Sequence, residues 1–135
     1  MRWRAIGGVT ALAMAMFCLT GCSSPSRCFP EPLAASPKVV EHGGMVTISS
    51  PKASCDLGYK AGRTYSVTIA SKSTQTKVTS VPVNTDGSFS KELVVPVSFP
   101  IGTAYIQVKG SPFDLCEDTG SSHSCAGYAA EFAVK

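Results

Sequence analysis

Thr64–Ala70 reads TYSVTIA, and the alternation within it decides the fold class. Tyr65, Val67 and Ile69 share one parity, while Thr64, Ser66 and Thr68 share the other. Successive side chains of a strand point to opposite faces, so this segment is a half-buried strand and not a helix. The same period recurs on both sides of it. Residues 45–49 (MVTIS) put Val46 and Ile48 on one face. Residues 103–109 (TAYIQVK) do the same with Ala104, Ile106 and Val108, and residues 129–135 (AAEFAVK) with Ala130, Phe132 and Val134. Residues 78–83 (VTSVPV) are β-branched but hold Pro82, which lacks a ladder donor and assigns an edge strand. Residues 88–97 (SFSKELVVPV) direct Phe89, Leu93 and Val95 inward, yet Lys91 has their parity, which requires a bulge or a snorkelling side chain. Asp86-Gly87 between these two segments is a turn signal. No stretch beyond residue 22 keeps a capped helical period. Six short strand patterns separated by turns predict an all-β sandwich.

A chain of 135 residues has room for one such domain. Charged residues are 16% of it and the net charge is +3, too mild for the concentrated basic patch of a nucleic-acid binder. From Cys22 onward there are 10 basic and 9 acidic side chains, so long-range steering of a charged partner is not expected either.

The N-terminus carries an address. Arg2 and Arg4 precede a charge-free run, residues 5–19, which is shorter than the roughly 20 apolar residues that span a bilayer. Length and basic flank together fit a cleavable signal peptide. The run closes on Leu19-Thr20-Gly21-Cys22, and this LTGC resembles the lipobox of bacterial lipoproteins. The resemblance implies cleavage before Cys22, a diacylglyceryl group on its thiol and attachment to the extracytoplasmic side of a cell membrane. Two or more acyl chains anchor stably where one does not. The expected organisation is a signal peptide over 1–21, a lipidated cysteine and tether over 22–35, and a folded domain over 36–135.

Cys18 leaves with the signal peptide and Cys22 takes the lipid. Cys28, Cys55, Cys116 and Cys125 remain, an even number in an exported chain, which predicts two disulfides. Three pairings are open. No pair has the short spacing of a zinc site. Cys116–Cys125 would close a ten-residue loop and contribute about 2.5–3 kcal/mol, and Cys28–Cys55 a longer loop contributing about 3.5 kcal/mol.

Ser36-Pro37 before a short strand, Gly43-Gly44 before MVTIS, Asp86-Gly87-Ser88-Phe89, the valine-proline strand end and Gly102 before AYIQV resemble bacterial immunoglobulin-like surface domains. The resemblance spans residues 36–135 and implies an immunoglobulin-like antiparallel β-sandwich. On that scaffold all four cysteines fall at one pole, the pole whose loops bind in antibody-like domains. The connection over residues 110–127 is the longest, and connections of that length are usually functional or disordered. Its Phe113, Asp114, Glu117, Asp118 and His123 are the candidate binding residues. The opposite pole is expected to offer only short turns, Asp86-Gly87 among them.

Other chemistries find little support. Three acids and a histidine in one loop suit a cation, but the spacing matches neither an EF-hand nor a zinc signature. His42 and Met45 could suggest copper, but Met45 opens a strand and is expected in the core. No GxSxG elbow, no HExxH and no free cysteine argue for an enzyme. No metal or cofactor is therefore expected. The expected function is a membrane-anchored, non-catalytic binding or accessory module meeting an envelope or extracellular partner. The alternatives are a structural spacer or wall-associated lipoprotein, or a metal-binding envelope protein.

Overall fold

The computed structural model describes residues 27–116 and 127–135, with the side chains of residues 115 and 116 left aside. Eight strands are found there: β1 (Ala34–Ser36), β2 (Val39–Val40), β3 (Met45–Ser50), β4 (Thr64–Ala70), β5 (Thr79–Pro82), β6 (Phe89–Val94), β7 (Gly102–Lys109) and β8 (Ala129–Val134). They form two sheets, ordered β1-β3-β6 and β2-β8-β7-β4-β5. All pairings are antiparallel except β2 with β8, which is parallel. The chain passes from one sheet to the other between β1 and β2.

Period-two alternation explains which side chains meet. Val46 and Ile48 of β3 and Leu93 of β6 face Tyr65, Val67 and Ile69 of β4, Ala104, Ile106 and Val108 of β7, and Ala130, Phe132 and Val134 of β8 in one core. Fully burying a side chain of this size contributes about 1.5–3 kcal/mol. The core draws on residues from Ala35 to Val134, so a chain begun at Ser23 keeps all of it. As expected for its proline, β5 is a sheet edge. β6 pairs with β3 without interruption from Met45↔Val94 to Ser50↔Phe89, so no bulge occurs at Lys91. Lys91 is exposed, and β6 is the edge of its sheet, which lets the ammonium reach water past the core.

Packing begins before the expected tether ends. Cys28 is bonded to Cys55. The Glu31 carbonyl accepts hydrogen bonds from Ser50 Oγ at 2.9 Å and Tyr128 Oη at 2.8 Å. Ala35 is buried in the core. Residues 28–35 therefore belong to the packed unit.

Two local expectations are corrected. Asp86-Gly87 does not join a hairpin, because β5 and β6 lie in different sheets. Nor does it lie opposite the cysteines. Pro82 pairs with Thr64 and Phe89 pairs with Ser50, so the connection between them sits at the same pole as residues 51–63. There Ala53 N donates to Asp86 O at 2.9 Å. Gly87 has φ 86°, a backbone conformation that favours glycine, and Leu57 Cδ1 packs into the space its missing Cβ leaves.

Candidate functional site

Three connections reach the first pole: residues 51–63, residues 83–88 and, among the described residues, 110–116 with 127–128. Cys28 and Cys55 fasten the start of the described chain to them, with a Cα–Cα separation of 5.7 Å. The other expected bond lies outside the described residues, as do Cys22, Glu117, Asp118 and His123. The backbone of Cys116 ends a 3-10 helix, Pro112–Cys116.

Of the two expected binding residues that are described, Phe113 packs inward and Asp114 bonds the loop's own backbone. Phe113 is half-buried, 4.9 Å from the Phe29 ring and stacked on Tyr128 at 5.0 Å. Tyr128 meets Tyr65 edge-on at 6.0 Å, and Tyr65 meets Phe89 at 5.4 Å. Edge-to-face and offset pairs at such distances add to the gain from burial itself. Phe113 thus continues the aromatic core upward into the long connection. Asp114 Oδ2 accepts from Gly110 N at 2.6 Å, and Asp114 N donates to Ser111 O, which closes the turn after β7. Both residues shape the loop from within.

The remaining surface of this pole is polar. A cleft of about 440 Å³ is lined by Lys52, Ser54, Asp56, Tyr59, Thr85 and Asp86, with Ala53 and Cys55. Ser88 donates to Asp86 Oδ1 through Oγ at 2.6 Å and through its backbone N at 3.0 Å. These bonds, with a smaller contribution from Lys52, hold the Asp86 carboxyl below the usual carboxylate range. Arg63 lies over the Tyr59 ring at 4.1 Å and donates to Gly110 O. Tyr59 Oη and Tyr65 Oη share a hydrogen bond of 2.7 Å. Burial, then that bond, raises the Tyr65 phenol well above its ordinary value, and burial pushes Tyr128 up to about 12. Tyr65 and Tyr128 are neutral struts at any physiological pH.

The exposed apolar surface is elsewhere. Met45, Val94, Val97 and Ile101 are 56%, 62%, 77% and 73% exposed. Met45 pairs with Val94 at the far ends of β3 and β6, and Val97 Cγ1 lies against Gly43. All four lie at the pole opposite the disulfide. Met45 is thus not a core residue: Val46 and Ile48 occupy the inward parity and leave Met45 outside. His42 is exposed beside it. Among the described residues no three His, Cys, Asp or Glu side chains gather as a metal-binding group.

The sequence does carry a signal for this second pole. Met45 and Val94 are apolar residues on the solvent parity of strands whose other parity is already filled, and Val97 and Ile101 flank turn-forming prolines. Large side chains in such places do not serve the core. Comparison with family models, curated proteins and solved structures found no match to this chain.

Proposed function

We propose that this protein is a lipid-anchored, non-catalytic binding module of immunoglobulin-like architecture, which presents the pole opposite its disulfide to a protein partner. The anchor is supported by LTGC at the end of the apolar run. The architecture is supported by the strand order. β1-β3-β6 corresponds to strands A-B-E, and β2-β8-β7-β4-β5 to A′-G-F-C-C′, with the B–C and F–G connections at one end.

One observation carries the choice of pole. Cys28 is fastened to Cys55, and it lies only six positions after Cys22. At 3.3–3.6 Å per residue, a lipid on Cys22 would hold the stapled pole within about 20 Å of the bilayer. The opposite pole then faces away from the membrane, and it carries exposed Met45, Val94, Val97 and Ile101, of which Met45 and Val94 are paired neighbours. Adjoining apolar side chains on a surface suit a contact site. Across an aqueous space a spacer has no use for them, which favours the binding module over the spacer. A second disulfide, Cys116–Cys125, belongs to the same proposal, and non-reducing peptide mapping tests it.

The test is capture of envelope proteins on the full-length chain. Val97→Asp and Ile101→Asp together should abolish capture without lowering the melting temperature, because both residues are exposed. Unaltered capture by that pair would refute the assignment of the pole. Fatty-acid labelling that is equal in wild type and Cys22→Ala would refute the anchor.

A further inference from the structure

Between the free edges of the two sheets lies a cleft of about 380 Å³. Its origin is local. β4 and β5 pair from Thr64↔Pro82 only as far as Val67↔Thr79. Beyond that, Thr76 takes over the strand, its N donating to Ile69 O at 2.9 Å and its Oγ1 accepting from Ile69 N at 3.0 Å. Lys77 and Val78 are left over and stand away from the sheet, both exposed. On the facing sheet the chain leaves β6 at Val94 and turns, with Phe99 N donating to Pro96 O. Among the described residues no strand covers this side of the core. Edges of Val67, Ile69, Leu93 and Phe99 form the floor, and Lys77 stands on the rim.

We propose that this cleft binds a small amphiphile with an apolar body and one anionic head group, such as a medium-chain carboxylate, with the head group on Lys77. Three features select that chemistry. The floor is aliphatic and aromatic, which suits an apolar body, and the volume lies in the range of small-molecule sites. Lys77 is the single charged side chain lining the cleft, and its ammonium has no hydrogen bond or ion pair among the described residues. No acid lines the cleft, so a cationic head group would meet only repulsion. An added strand is the competing occupant, and both edges oppose it. β6 carries Lys91 on its inward parity and β5 ends on Pro82, the devices by which edge strands resist pairing. The site adjoins the distal pole at Val94 but depends on neither the lipid anchor nor a partner at that pole.

The test is an amide-shift titration of the Ser23–Lys135 chain with octanoate and, separately, with neutral 1-octanol. For about ten heavy atoms a Kd of order a millimolar is expected. Octanoate should shift Thr76, Lys77, Leu93 and Phe99 saturably. Lys77→Glu should weaken octanoate at least about fivefold and leave octanol within about twofold. Ser98→Trp, at the exposed rim, should weaken both while the melting temperature is kept. Shifts centred on Asp56 or Ile101, no saturation at several times the expected Kd, or equal effects of Lys77→Glu on both probes would overturn the proposal. So would a concentration-dependent dimer that broadens the β6 amides, which would give the cleft to a second copy.

Discussion

Phe113 shows how a residue can look like a contact and act as a strut. An aromatic side chain among acids in a long loop has the composition of a binding site, and nothing local in the sequence distinguishes that from a loop pinned to its core. The difference lies in Phe29 and Tyr128, 84 residues before and 15 after it in the chain, which the fold brings to 4.9 and 5.0 Å. Phe113→Ala should therefore lower stability in urea by about 2 kcal/mol, below the range for full burial because the ring is half-exposed. The neighbouring phenols make a second test. Tyr65 and Tyr128 titrate higher in the folded chain than the usual value of about 10 in the unfolded one. The unfolded state therefore releases protons first. Stability is complete below pH of about 10 and falls as pH rises toward 12, and Tyr128→Phe should make that alkaline loss shallower without moving its onset, since Tyr65 remains. A pH titration of the denaturation midpoint reads it.

At the scale of elements, the strands were the most legible part of the sequence. The six alternating segments recur at nearly the expected bounds, because a strand's period depends only on which face is buried. What the sequence did not reveal was pairing. Val39–Val40 is too short for any period to appear, yet it adds a parallel strand to β8. Asp86-Gly87 had the chemistry of a hairpin turn, but turn residues specify a local backbone shape and not which sheet the next strand joins. The Cys28–Cys55 bond closes a loop with a sequence separation of 27, so replacing both cysteines by Ser should cost about 3 kcal/mol. For a domain of this size that is a fall of more than about 10 °C in melting temperature. Lys91→Val tests the edge of β6. It should leave the monomer at least as stable while promoting association, seen as a larger species by light scattering, because the inward-parity charge that guards the edge is gone.

The whole molecule has two unlike poles. One is covalently stapled, polar on its surface and aromatic beneath it. The other is cross-linked by nothing described and displays Met45, Val94, Val97 and Ile101. Cysteine count, signal run and lipobox pattern pointed to the first pole, because covalent chemistry leaves marks in a sequence that surface hydrophobicity does not. Met45 and Val94 become neighbours only once β3 and β6 are paired. Photo-crosslinking in intact cells tests which pole meets the partner, with a photoreactive residue at Val97 in one full-length variant and at Asp56 in another. A discrete heavier protein adduct from position 97, and none from position 56, is the expected result. An adduct from position 56 alone, or from neither position, would contradict the assignment.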